Sequence, residues 1–345
     1  MLRNETLQEV ELRPDTEIKI KYATIFYQGI FGSQTQIAKY IGESEVIAST
    51  GEKIICTGRN NLKPIDVLIN PYIGMEIKDV NTRPYSSWQS SLNPVTWVST
   101  GLSATINWYY GVQISNPEQD KTASTDSIKY HAPVISEISI SQETDIESHH
   151  EKYLHWKQNA HPDEKLVLYG VSRGAGTTFN AFAEHKYPEV KLVILEGCYS
   201  SIEDVLERRY GTFSNHISSG ISFFSKYRKE GPSPLKYVDN FPADIPVVFI
   251  TSKIDKTVPS ASTKILANAL AQNQKNDVYV LELESARHPS YMFDNVQDRD
   301  SYETFIHAIY KKYGCPYRAE LAEKGEPLLE KCRLTNNHCC EITIV

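Results

Sequence analysis

Residues 165–186 read KLVLYGVSRGAGTTFNAFAEHK. Lys165–Tyr169 (KLVLY) is a short apolar run with the length of a buried strand. From Arg173 to Lys186, Ala175, Phe179, Phe182 and Ala183 fall on one face at helical spacing, and Pro188 marks the end of that helix. The turn between them, Gly170-Val171-Ser172-Arg173-Gly174, matches G-x-S-x-G. Three fixed positions carry little weight alone; the setting supplies the specificity. A serine on a sharp strand-to-helix turn sits in a strained backbone that lifts its hydroxyl out of the sheet. Small neighbours let strand and helix approach, and the helix N-terminus favours negative charge developing beside the serine. Two rival readings fail. A phosphate-binding P-loop needs Gly-Lys-Ser/Thr at its end, and no lysine is present. A dinucleotide fingerprint needs G-x-G-x-x-G, but Gly174-Ala175-Gly176 is followed by Thr177-Thr178-Phe179.

A serine hydroxyl is a weak nucleophile without a base, and the base must be oriented by a carboxylate. Downstream, the strand Pro246–Thr251 (PVVFIT) runs into Ser252-Lys253-Ile254-Asp255, and the strand Asp277–Leu283 (DVYVLEL) runs into Glu284-Ser285-Ala286-Arg287-His288. Asp255 and His288 therefore follow Ser172 in the order serine, acid, histidine, each on a loop after a strand. Glu196, at the end of the strand Lys191–Leu195, is the competing acid. His149, His150, His155, His161, His185 and His307 lie on expected helices or their ends, and none follows a late strand. A tetrahedral intermediate needs two donors for its oxyanion. One is the backbone N–H of Arg173. The other is expected from the glycine-rich turn Gln28-Gly29-Ile30-Phe31-Gly32-Ser33, which follows the strand Ala23–Tyr27, with Ile30 as the donor.

The remaining elements alternate strands with helices, the signature of a parallel sheet covered on both faces. Helices are expected at about 34–41, 143–159 and 260–272. A closing helix carries Tyr302, Phe305, Ile306, Ile309, Tyr310 and Tyr313; Asp300 with Glu303 offers a capping box at its start, and Gly314 then Pro316 stop it. Residues 198–242 read as helices and loops. Residues 44–140 hold strand-like pieces at Lys53–Cys56 and Asp66–Ile69, prolines that include Pro71, Pro84, Pro94 and Pro117, and Trp88, Trp97 and Trp108. No repeat appears, and 70–135 reads as an insertion packed over the sheet edge.

These four loop motifs, FYQGIFGS (26–33), YGVSRGAG (169–176), FITSKIDKTVP (249–259) and ESARHPSY (284–291), resemble those of the α/β-hydrolase superfamily. YGVSRGA is similar to a largely uncharacterised subgroup. The resemblance covers about Ala23 to Gly314 and implies a domain spanning 1–314. That domain would hold a mostly parallel, twisted sheet of about eight strands flanked by helices, with 198–242 as a helical cap. Many members carry His-Gly in the early loop, whereas this chain has Gln28-Gly29; a backbone donor does not need that histidine. The implied activity is cleavage of an ester, thioester or amide through an acyl-enzyme, with no metal or organic cofactor. A lipase or esterase is favoured and a serine peptidase of the same fold is the alternative, since neither an access-restricting domain nor an acidic pair for a peptide amine is marked. A binding protein that keeps the fold without catalysis would have lost a triad member, and all three are present.

Composition sets the outer bounds. The chain has 345 residues, 40% hydrophobic and 23% charged, enough for one large core or a core plus a cap. A net charge of −7 argues against nucleic acid as a partner, and Lys226–Lys229 (KYRK), the densest basic cluster, reads as a solvated helix end. The expected partner is a small-molecule, lipid or peptide acyl substrate. The N-terminus lacks an apolar signal core and no run of eighteen apolar residues occurs, so a cytoplasmic location is the default expectation, with signal-less secretion left open. Of the cysteines Cys56, Cys198, Cys315, Cys332, Cys339 and Cys340, four fall in the last 31 residues, and no C-x-x-C pair exists. Zinc is disfavoured despite His338 beside Cys339, as is a disulfide framework. Residues 315–345 read as a mobile tail of reduced thiols, or as a membrane tether through lipidation of Cys339 and Cys340. Prenylation does not fit, because Ile342 is fourth from the end.

Overall fold

The computed structural model describes residues 22–27, 29, 53–57, 65–70, 74–78 and 142–335, apart from 225–226, 289–290 and 292–294. Ile30, the expected helix at 34–41, the three early tryptophans, and Cys339 and Cys340 lie outside the described residues.

Five parallel strands carry the site: β1 (Tyr22–Tyr27), β2 (Lys165–Val171), β3 (Val190–Glu196), β4 (Val247–Ser252) and β5 (Val278–Leu283). They pair side by side in chain order, with Tyr27 opposite Gly170, Val171 opposite Glu196, Glu196 opposite Ile250 and Ser252 opposite Leu283. Parallel strands need crossovers, and helices supply them. Helix α1 (Gln142–Asn159) precedes β2 and α2 (Arg173–His185) joins β2 to β3. Helices α3 (Ile202–Tyr210), α4 (Ser214–Phe224) and the short α5 (Pro234–Tyr237) lie between β3 and β4. Helix α6 (Ser260–Gln272) joins β4 to β5, and α7 (Val296–Tyr313) and α8 (Ala319–Cys332) close the chain.

The strands are apolar on both sides because both sides are covered. Successive side chains point to opposite faces. Tyr22, Phe26, Leu192, Ile194, Val248 and Ile250 go to one face, where Tyr302, Phe305, Ile306 and Ile309 of α7 meet them. Ala23, Ile25, Val193, Leu195, Val247 and Phe249 go to the other. There they meet Leu266 and Leu270 of α6 and the Ala175, Phe179, Phe182 and Ala183 stripe of α2 that the sequence marks.

Two details differ from the sequence reading. Helix α7 starts at Val296, not at an Asp300–Glu303 capping box. Its N-cap is Asn295, whose side-chain oxygen accepts from the Asp298 amide at 2.8 Å. Asp298 in turn accepts the Glu284 and Ser285 amides at 3.0 and 2.9 Å, tying the helix start to the loop after β5. Gly314 ends the helix as expected, at φ 74°.

The core also continues past Gly314. Helix α8 packs on α7 so closely that a Cβ on Gly325 would lie 1.9 Å from the Thr304 carbonyl oxygen. Beyond α8, the Leu334 amide donates to Val278 at 2.8 Å, adding a backbone bridge at the edge of β5. Cys315 and Cys332 are thus buried in the packed core, not members of a mobile tail. Among the described residues no helix is long and apolar enough to cross a membrane.

Candidate active site

The turn between β2 and α2 holds Ser172 at φ 57° and ψ −123°, a conformation that L side chains rarely adopt. Three features keep it there. The Ser172 amide donates to the Glu196 carbonyl at 2.7 Å, stitching the turn to the end of β3. Gly170 lets strand and helix close up, since a Cβ there would lie 2.6 Å from the Ala175 Cα. Gly176, one turn into the helix, faces Tyr199, whose ring a Cβ would meet at 2.6 Å. The serine side chain caps nothing in its own helix. Its Oγ faces His288 instead, 2.7 Å from Nε2.

The other ring nitrogen of His288, Nδ1, lies 2.7 Å from Asp255 Oδ2. Both nitrogens are thereby engaged, one by each partner that the sequence order marks. Asp255 sits just past β4 in an Asx turn: its Oδ1 accepts the Thr257 and Val258 amides at 2.7 and 2.9 Å. The Tyr291 hydroxyl donates to Oδ2. Ser172, Asp255 and His288 are all buried, at 5–7% exposure, so their mutual bonds are little screened by water. Burial alone would push the Asp255 carboxyl up. The charge of His288 and hydrogen bonds from His288, Tyr291 and Val258 outweigh it and hold the carboxyl below the ordinary aspartate value.

Glu196, the competing acid, belongs to a different array. It is fully buried at the end of β3 and accepts from the Tyr302 and Tyr169 hydroxyls at 3.0 and 3.3 Å. The helix histidines are engaged elsewhere too. His149 Nδ1 lies 3.3 Å from the Tyr187 hydroxyl, and burial, then His185 and His150, push its pKa down to about 3. His150 stacks on His185 with ring centroids 3.9 Å apart, and His307 accepts the Arg318 amide.

Arg173 opens α2, where the first amides of a helix have no intrahelical acceptor. Its side chain is engaged with the neighbouring helix α1. It forks onto Asp145 of α1, Nε to Oδ2 at 2.6 Å and Nη2 to Oδ1 at 2.8 Å, with both residues buried. Gly29 of the early loop is buried, and a Cβ on it would lie 3.2 Å from the Ser172 Cβ. Gly29 therefore abuts the serine; the donor expected from the same loop, Ile30, lies outside the described residues. Among the described residues one group has its ligand atoms spaced for a metal ion, Glu147, Glu184 and His185 within 4.8 Å of one another. It lies at the far end of α2, about 20 Å from Ser172 at 1.5 Å per residue.

Three residues at the site escape sequence reasoning. Gly197 follows β3 at φ 57°, and a Cβ on it would lie 2.9 Å from His288 Cε1. A glycine directly after a strand is a signal for such close approach. Tyr291 and Asp145 leave none, because each meets its partner only through the tertiary fold.

No family model and no curated protein matches the chain. Among solved structures it is similar to Pyrococcus horikoshii acylaminoacyl peptidase, at 18% identity over 49% of this chain and 27% of that one, with a TM-score of 0.38. It is similar to a Mycobacterium tuberculosis puromycin-hydrolyzing peptidase at 22% identity over 51% and 26%, with a TM-score of 0.39. A Pyrococcus furiosus esterase matches at 10% identity over 86% of this chain and 84% of that one, with a TM-score of 0.46. The matched stretch spans about a quarter of the length of the two peptidases. By their names the matched proteins are two peptidases and an esterase.

Proposed function

We propose that this protein is a serine hydrolase that cleaves an ester, thioester or amide through an acyl-enzyme. The observation that carries this reading is the hydrogen-bonded chain Ser172 Oγ–His288 Nε2 and His288 Nδ1–Asp255 Oδ2, 2.7 Å at each link, on a serine held at positive φ.

In this reading His288 takes the Ser172 proton as Oγ attacks the acyl carbon. Asp255 fixes the tautomer with Nδ1 protonated and stabilises the imidazolium that forms. The oxyanion is received by the amides of Arg173 and Ile30, at the start of a helix whose dipole favours negative charge. The imidazolium then gives its proton to the leaving group. Water, activated by the same histidine, releases the acyl group. This chemistry calls on no metal or organic cofactor.

Two structural readings accompany it. Helices α3 to α5, within 198–242, form the cap over the site. Strand segments Lys53–Thr57, paired parallel to β1, and Ile65–Asn70 and Gly74–Lys78, paired antiparallel beyond it, support a sheet of eight strands. The favoured substrate is an acyl ester of a small molecule or lipid; a peptide amide would use the same groups.

The test is labelling with a fluorophosphonate probe. Wild type is expected to label and Ser172→Ala not to; equal labelling of the two would overturn the proposal. A series of acyl esters run against aminoacyl amides then separates esterase from peptidase.

A further inference from the structure

Asp255 is saturated with donors. Oδ1 takes two amides of its own turn, and Oδ2 takes His288 Nδ1–H together with the Tyr291 hydroxyl. Tyr291 has no exposed surface, and its ring stands edge-on to the imidazole, centroids 6.1 Å apart at 83°. One glycine makes room for both: a Cβ on Gly197 would lie 2.9 Å from His288 Cε1 and 3.5 Å from the Tyr291 hydroxyl oxygen. The titratable groups facing Tyr291 are Asp255 after β4, His288 after β5 and Glu196 at the end of β3. Burial, then the charges of Asp255 and Glu196, keep the phenol well above the ordinary tyrosine pKa. Tyr291 therefore remains a neutral donor across the working pH range.

We propose, resting on the reading of Ser172, His288 and Asp255 as a hydrolytic array, that Tyr291 is a positioning residue that sets the basicity of His288. It does so by sharing the Asp255 oxygen to which His288 is bonded. A hydrogen bond to an ionised carboxylate lowers that carboxylate's affinity for any other proton. With Tyr291 on Oδ2, less of the negative charge is left for the imidazolium N–H. Without the hydroxyl, Oδ2 bonds His288 alone, the imidazolium is stabilised more strongly, and His288 becomes a stronger base that stays protonated to higher pH. The hydroxyl also pins the carboxylate from a second direction, which keeps it in line with Nδ1.

The experiment uses Tyr291→Phe, which keeps the buried ring and deletes only the donor. His288 is titrated by NMR in 15N-histidine-labelled full-length protein, beside the pH profile of probe labelling. The His288 midpoint is expected to rise by about half a unit to one unit, the scale of one hydrogen bond's net effect. The acidic limb of the labelling profile should move by the same amount. A purely structural tyrosine would lower the melting temperature or the rate at all pH values and leave the midpoint in place; that result would overturn the proposal. Site-specific 3-fluorotyrosine at position 291, a stronger donor of nearly the same shape, is expected to move the midpoint down, and it carries the test if the phenylalanine variant does not fold. Failure of the hydrolase reading looks different: Ser172→Ala would label like wild type, whatever the titration of His288 does.

Discussion

At the scale of single residues, the serine turn sets function against stability. Ser172 at φ 57° and ψ −123° occupies backbone space where a Cβ is unwelcome, at a cost on the order of 1–3 kcal/mol. Glycine carries no such penalty. Ser172→Gly and Ser172→Ala both remove the hydroxyl proposed as nucleophile but should differ in stability. The glycine variant keeps no Cβ to strain, and it is expected to melt a few degrees above the alanine variant. Thermal melts of the two side by side test this; identical midpoints would mean that the turn is not strained. The sequence alone points to this residue, because strand, motif and helix are contiguous there. Asp255 and His288 are legible for the same reason: each follows an apolar run at once, so its place on a loop can be read locally. Gly197 and Tyr291 are the harder cases. Gly197 is legible only as a glycine after a strand, and what it clears, the His288 ring, is encoded far downstream. Tyr291 looks like any aromatic near a loop until its hydroxyl is seen on Asp255.

At the scale of elements, α8 is the one the sequence hides. Gly314-Cys315-Pro316 is a strong helix stop, and the helix that follows has no side-chain cap at Arg318 and a proline, Pro327, inside it. Its buried side is made of Ala322, Gly325 and Cys332, small residues that leave little apolar period to detect. Small residues are what the packing requires. Gly325 lies so near the Thr304 carbonyl that any side chain must push the two helices apart. Gly325→Ala should therefore destabilise by about 1–3 kcal/mol, the usual scale of overpacking, although alanine is the better helix former. Loss should be visible as a lower denaturation midpoint with the probe-labelling rate of the folded fraction unchanged, since α8 lies outside the candidate site. A variant as stable as wild type would show that α8 is not docked on α7 in solution. The misplaced start of α7 has a related cause. Asp300 and Glu303 fit the local capping pattern, but the helix already begins at Asn295, where Asp298 also fastens the loop after β5.

At the scale of the whole molecule, the parallel sheet explains why residues far apart in sequence meet. Its strands run the same way, so the loops after β2, β3, β4 and β5 emerge at one edge, the usual place for ligands in such sheets. Ser172, Gly197, Asp255 and His288 are the products of that edge. Alternating apolar runs made this arrangement legible. They could not reveal every link that fixes the serine turn to the rest of the fold, because one of them is a buried ion pair between Arg173 of α2 and Asp145 of α1. Two roles can be imagined for Arg173: its amide as an oxyanion donor, and its side chain as a clamp. They separate by mutation. Asp145→Asn leaves the guanidinium buried without a counter-charge, which typically costs about 3–5 kcal/mol, and it should lower both the melting temperature and the labelling rate. Replacing both partners with apolar residues of similar size, Asp145→Leu with Arg173→Met, removes the buried charge altogether and is commonly neutral or stabilising. Every backbone amide survives in that double variant. If the side chain serves only as a clamp, the double variant should recover stability and most of the labelling rate relative to Asp145→Asn. Recovered stability with no recovery of labelling would assign the guanidinium a direct part in the chemistry.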